Sequence, residues 1–191
     1  QVEAPGAAGA LRQVLHNLIR ADGSGAEGST HYLAFTLEWA LLARAAVPEL
    51  GIDELLTRAT TFLTSVLWSS GEHARIGDVD EGVVLRTLGT QPYGRSVAGA
   101  AAAALHLDWR PPGWVPDLRA MLLGATAMAP ARRPSEDRFD AVSALQRGRA
   151  RVLIVHGRGL PPLRTHAHSD ALSVLLELSG QPILVDRGSW H

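Results

Sequence analysis

A chain of 191 residues with 46% hydrophobic and 19% charged side chains can build a core, and it lacks the bias of a disordered or membrane-embedded protein. A formal charge of -1 gives no general attraction to nucleic acid or anionic membranes, and no apolar run approaches the ~20 residues of a membrane span. The absence of cysteine excludes disulfides and thiolate metal sites, and all 18 Lys+Arg positions are arginine, a pattern of genome coding bias that also suits carboxylate recognition.

The first two-thirds read as helices. Leu11, Val14, Leu15, Leu18 and Ile19 share one helical face, and Asp22-Gly-Ser-Gly25 breaks that pattern. From His31 to Ala46 nearly every position is apolar, with Glu38 and Arg44 the only formal charges, so a helix buried on most sides is expected. Asp53 is a candidate N-cap for a third helix striped by Ile52, Leu55, Leu56, Ala59, Phe62, Leu63, Val66 and Leu67. Beyond a loop from Gly77 to Gly82, the alanine-rich run Ser96 to Leu107 and the segment Asp117 to Ala125 predict helices four and five.

The polar stretch Pro130 to Asp137 contains two prolines, and the period then changes from helical to extended. We expect a domain boundary there, with residues 1–133 helical and 134–191 a β domain. Arg151 to His156, Leu172 to Leu178 and Ile183 to Val185 predict strands, with a hairpin loop at Ser179-Gly-Gln181. The length after Phe139 suits about four strands where a sandwich needs about seven, so the natural protein is expected to continue, and the isolated chain to associate through unpaired edges.

Three motifs carry chemistry: Asp22-Gly-Ser-Gly-Ala-Glu27-Gly-Ser29-Thr-His31-Tyr32; Ile76-Gly-Asp78-Val-Asp80-Glu-Gly82; and His166-Ala-His168-Ser-Asp170-Ala-Leu-Ser173 followed by Gly180-Gln-Pro-Ile-Leu-Val-Asp186-Arg-Gly188. In this order they resemble segments of the heparinase II/III-like polysaccharide lyases and related alginate lyases. The resemblance implies an α+β multidomain fold, the C-terminal part of an (α/α) toroid followed by the start of an antiparallel β-sandwich. It also implies β-elimination on an anionic, uronic-acid-containing polysaccharide, and a periplasmic or secreted location.

By the same resemblance Tyr32 is the catalytic tyrosine, serving as base and acid, with His166 assisting from the second domain. Glu27 and His31 are the expected substrate-binding residues. His168 and Asp186 are implied as ligands of a structural zinc whose third ligand is a histidine further along the β domain; His191 is not assigned that place. The carboxylate-neutralising Asn and His of that family lie upstream of the tyrosine helix, and His16 and Asn17 stand in reverse order and too close to Tyr32 to fill the role. Leu33 after the tyrosine, Val83 after Gly82 and Arg187 in place of proline also depart from the pattern.

The residues themselves leave other readings open. A phenol of pKa about 10 needs a cationic or hydrogen-bonding neighbour to lower it before it acts as a base near neutrality; otherwise Tyr32 is an ordinary tyrosine at the start of an apolar helix. Placed in a strand, His166, His168 and Asp170 would point to one face, an array suited to zinc. Asp78-x-Asp80-x-Gly82 lacks the bidentate glutamate of an EF-hand and reads as a structural loop. The competing functions are a non-catalytic relative that binds polysaccharide during synthesis or export, and a zinc-dependent hydrolase; against the hydrolase, Ala171 replaces the last histidine of a His-x-His-x-Asp-His motif. Oligomeric state is not legible in the sequence.

Overall fold

The computed structural model describes residues 6–80, 82–86, 91–125, 129–134, 138–156, 166–168 and 170–186. Among the described residues five α-helices and one 3-10 turn (Pro48–Leu50) precede one sheet: α1 (Ala7–Leu18), α2 (Thr30–Ala46), α3 (Asp53–Ser65), α4 (Tyr93–Ala104) and α5 (Leu118–Leu122), then β1 (Val142–Arg147), β2 (Ala150–Val155), β3 (Val174–Leu178) and β4 (Gln181–Leu184). The fold is mixed α+β, and no described helix is long and apolar enough to cross a membrane.

The amphipathic patterns form helices close to where they were expected, and local chemistry sets the ends. Ser29 caps α2 by accepting a hydrogen bond from the Tyr32 backbone N–H. Asp53 is the first residue of α3 rather than its cap; Ile52 holds the cap position without a side-chain bond, and the carboxylate instead pairs with Arg44. Helix α4 starts directly after Pro92, three residues earlier than the alanine run suggested, and ends where His106 turns left-handed at φ 54°. Helix α5 is shorter than expected: Asp117 caps it by accepting from the Ala120 N–H, and Gly124 ends the turn at φ 63°.

Helix α4 packs against α2, α3 and α5. Its small side chains permit this: a Cβ on Gly99 would lie 2.0 Å from Trp114 Cδ1, so glycine alone admits the indole. Trp114 is 1% exposed and Leu37, Leu41, Leu56 and Leu63 are buried around the same centre. Burying one such leucine stabilises by roughly 1.5–3 kcal/mol.

The sheet is an antiparallel meander in the order β1-β2-β3-β4. Strand β1 was not anticipated, β3 begins two residues later than expected because Leu172 sits in a turn at φ 69°, and β4 spans Gln181–Leu184 rather than Ile183–Val185. Alternate residues Arg151, Leu153 and Val155 of β2 are buried, so one face of the sheet meets protein.

That inner face does not form a separate core. Phe139, Val142, Ala144, Leu153, Val155 and Leu175 belong to the same buried cluster as the helical residues, with Phe62 and Phe139 edge to face at 4.8 Å. Polar staples cross the same seam. Glu177, 2% exposed, accepts from Ser69 N at 2.7 Å and Ser69 Oγ at 2.5 Å; Arg133 donates to Thr64 O and Leu67 O, and Arg151 to Ser65 O. Glu177 is therefore compensated, and both arginines bond carbonyls at and just after the end of α3, with Arg151 Nε left without a hydrogen-bond partner among the described residues.

Candidate functional site

The start of α2 is knitted to the segment 74–78. Thr30 Oγ1 donates to Ala74 O at 2.6 Å, Thr30 N to Ile76 O at 3.0 Å, and Ser29 Oγ to Asp78 O at 2.6 Å. The chain reaches this position through Gly77 at φ 68°, where a Cβ would lie 2.4 Å from Gly28 O and 2.5 Å from His166 O. Only glycine fits there. Asp78 N donates to His166 O at 2.8 Å, so the acidic loop joins the α2 start to the histidine segment.

Tyr32 and His166 lie 134 positions apart in sequence yet stack face to face, with ring centroids 3.7 Å apart and planes 13° from parallel. The Tyr32 hydroxyl donates to Asp80 Oδ2 at 2.5 Å. That bond, followed by burial and by the charges of Asp80, Asp78 and Glu27, pushes the phenol up to about 12. The expected lowering does not occur: the residues around the oxygen are carboxylates, not cations. Asp80 moves the other way, held low first by the Tyr32 hydroxyl and then by the Gly82 N–H, which reaches Oδ1 at 2.7 Å.

Asp78 serves two histidines. Its Oδ1 accepts from His168 Nε2 at 2.7 Å and its Oδ2 lies 3.4 Å from His166 Nδ1, and the His168 bond is the main reason its carboxyl is held low. With Nε2 committed to Asp78, His168 Nδ1 faces the carboxylates of Asp186 at 3.7 Å and Asp170 at 3.9 Å. Burial pulls His168 down, but the Asp78 bond and the three carboxylate charges outweigh it and the net shift is upward. Asp170 is raised, first by burial, while the Gly77 N–H at 3.1 Å opposes this and Asp186 adds to it.

His168, Asp170 and Asp186 each offer a ligand atom, all within 4.8 Å of one another. Zinc ligands about 2.0–2.1 Å from the ion in a tetrahedron stand about 3.4 Å apart, close to these separations. A histidine whose second nitrogen donates to a carboxylate is the usual outer-shell arrangement of a metal-bound imidazole. The three donors could therefore hold a divalent cation.

The histidine motif is not a strand. His166, Ala167 and His168 are irregular, and the two imidazoles meet at Asp78 because the loop folds over it, not because alternate residues share a face. His31 is 4% exposed, its Nε2 donates to Gly82 O at 2.7 Å and lies 3.2 Å from Asp80 Oδ1, and its ring neighbours those of Tyr93 and His73. It faces the protein and supports the loop, which leaves it little surface for a substrate. Glu27 is partly exposed and contributes charge near Tyr32. His191 and Arg187 lie outside the described residues.

Asp170 was already placed with His166 and His168 in an array suited to zinc, whereas sequence reasoning missed Asp78 and Asp80 as members of the site. Its signal was the Asp-x-Asp-x-Gly spacing, which was read as loop architecture; what the spacing does is aim two carboxylates at residues on two other segments.

A second polar centre lies behind the loop. Glu38 and Arg119, each 1% exposed, pair at 2.5 Å; Glu38 also accepts from Val84 N, Leu85 N and the Tyr93 hydroxyl, and Arg119 donates to Leu85 O. This network fixes the chain immediately after Gly82. No protein-family profile, no curated protein and no solved structure matches the chain.

Proposed function

We propose that this chain carries the catalytic centre of a polysaccharide lyase that cleaves a uronic-acid-containing polysaccharide by β-elimination. The observation that carries the reading is the stack of Tyr32 on His166, two residues from separate motifs brought within 3.7 Å on a partly exposed surface. The same reading has the helices as part of an (α/α) toroid and the sheet as the beginning of a β-sandwich, with the reaction where they meet.

The elimination breaks the C5–H bond of the uronate and the C4–O bond to the leaving sugar, and the C5–H electron pair becomes the C4=C5 double bond. The departing oxygen needs a proton. Tyr32 rests as a phenol and supplies it; the imidazole of His166, stacked on the same ring, accepts the C5 proton, and exchange with solvent then returns a proton to Tyr32 and removes one from His166. Positioned acid–base groups of this kind contribute typically 10²–10⁴-fold each.

His168, Asp170 and Asp186 would hold the cation, which, when bound, would tie the histidine loop to the end of β4 and leave no proton transfer to be explained through it. Asp78 then links the two functions, since one carboxylate orients both the ligand His168 and the catalytic His166.

Incubating the protein with heparin-like, alginate-like and bacterial exopolysaccharide substrates tests the reading. Unsaturated uronate ends absorbing in the near ultraviolet are the expected product. New reducing ends without that absorbance indicate a hydrolase, and polysaccharide retention without cleavage indicates a binding relative.

A further inference from the structure

Asp80 joins Tyr32 to the rest of the protein. Oδ2 takes the phenol hydrogen at 2.5 Å, while Oδ1 takes the Gly82 N–H at 2.7 Å and lies 3.2 Å from His31 Nε2. His31 is itself locked, buried and donating to Gly82 O at 2.7 Å. The loop is anchored on both sides: Asp78 N donates to His166 O at 2.8 Å before it, and Val84 N and Leu85 N donate to the buried Glu38 at 2.9 Å and 3.2 Å after it. Swinging Asp80 away from Tyr32 breaks at least one of these anchors.

Tyr32 has little other freedom. Its ring is clamped by the stack on His166, which leaves rotation of the O–H about the C–O bond as the motion that decides where the proton points. The groups acting on that oxygen are the carboxylates of Asp80, Asp78 and Glu27, with His166 against the ring and His31 edge-on at 6.0 Å. Three anionic groups oppose a phenolate, and one of them is hydrogen bonded to the phenol.

We propose that Asp80 is the positioning residue for Tyr32: by accepting the hydroxyl hydrogen it holds the phenol oxygen in place and keeps the proton on it in the resting site, and rotation of the O–H about the C–O bond turns that proton to the leaving oxygen when substrate is bound. The inference rests on the lyase reading of the same site and refines it, since it assigns Tyr32 the acid step at the leaving oxygen and excludes a resting phenolate as the base. It also gives the Asp-x-Asp-x-Gly loop a chemical task, with Asp78 serving the histidines and Asp80 the tyrosine.

The test separates the two claims. The chain contains only two tyrosines, Tyr32 and Tyr93, so protein labelled with ¹³Cζ-tyrosine gives two phenol resonances, assigned with Tyr32→Phe. These are followed from about pH 8 to 11.5 without substrate in the parent, Asp80→Asn and Asp80→Glu proteins, the asparagine retaining the shape and the acceptor for Gly82 N–H. In the parent the Tyr32 resonance stays at its phenol position to about pH 11. In Asp80→Asn its midpoint falls by at least about one unit toward the ordinary value of about 10, a tenfold gain in ionised fraction at a fixed alkaline pH, and Asp80→Glu restores part of the difference. Identical Tyr32 midpoints in parent and Asp80→Asn overturn the proposal. On substrate, Asp80→Asn lowers kcat at least about tenfold and leaves KM within about threefold; an effect confined to KM also overturns it. A parent protein that yields no unsaturated ends removes the lyase reading, while the titration still decides what Asp80 does to Tyr32.

Discussion

Replacing Arg119 by methionine removes the cation at the centre of the buried network behind the acidic loop. The guanidinium is 1% exposed and donates to Glu38 Oε1 at 2.5 Å, to Ser96 Oγ and to Leu85 O at 2.9 Å, and it stands 3.6 Å from Asp117. Methionine fills much of the same volume but leaves Glu38 buried, with Val84 N, Leu85 N and Tyr93 OH as its remaining partners. Loss of one partner from a buried pair costs about 3–5 kcal/mol. For a chain of this length each kcal/mol moves Tm by about 2–4 °C, so a fall of about 6–20 °C is expected. Thermal and urea unfolding of Arg119→Met, Glu38→Gln and the double variant measure this. Because the two residues are in contact, the double variant should lose less than the sum of the singles by more than about 1 kcal/mol. Additive effects, or an Arg119→Met loss below about 1 kcal/mol, would refute the view that this pair pins the loop after Gly82.

Other perturbations probe separate parts of the account. Tyr32→Phe keeps the ring stack and the helix cap, so Tm should change by no more than about 2 °C while lyase turnover falls about 10²–10⁴-fold, read by near-ultraviolet absorbance. Gly77→Ala places a Cβ against Gly28 O and His166 O at a left-handed φ, and should cost about 2 kcal/mol or more in urea unfolding. His168→Ala should lower zinc content and remove the zinc-dependent part of the melting temperature; unchanged stoichiometry by elemental analysis takes His168 out of the site. His73, 7% exposed, is pulled down to about 4 by burial first and then by the charges of His31 and Arg75. Its folded pKa lies below its unfolded value of about 6.5, so the unfolded state binds the proton more tightly. The contribution is complete above about pH 6.5 and is lost as pH falls toward 4, an acid loss of up to about 3 kcal/mol that His73→Gln should reduce in paired urea melts at pH 7 and 4.5.

Much of the helical scaffold was legible because the apolar spacing of α1 and α3 is strong, α2 is apolar at nearly every position, and each segment is longer than two turns. The boundaries were less so, since they depend on single residues: the Asp117 cap, the left-handed His106, and Asp53 paired with Arg44 instead of capping. Strand β1 was invisible in Val142–Arg147, because only Val142 and Ala144 are buried there and its extended form is fixed by pairing with β2. At the site, Tyr32 and His166, and His168 and Asp186, were expected together and the structure places them together. The roles of Asp78 and Asp80 were not legible, because each depends on contacts with segments distant in sequence, as Tyr32 and Asp80 stand 48 positions apart. The direction of the Tyr32 shift depends on the same contacts: sequence motifs name the phenol, but only the fold shows that carboxylates surround it.

The most direct measurement is the ultraviolet spectrum of products formed from a uronic-acid polysaccharide by the parent protein and by Tyr32→Phe. Absorbance from C4=C5 unsaturated ends should grow with time in the parent and be lost in the variant. Chain cleavage without that absorbance, or equal absorbance from the folded Tyr32→Phe protein, would contradict it.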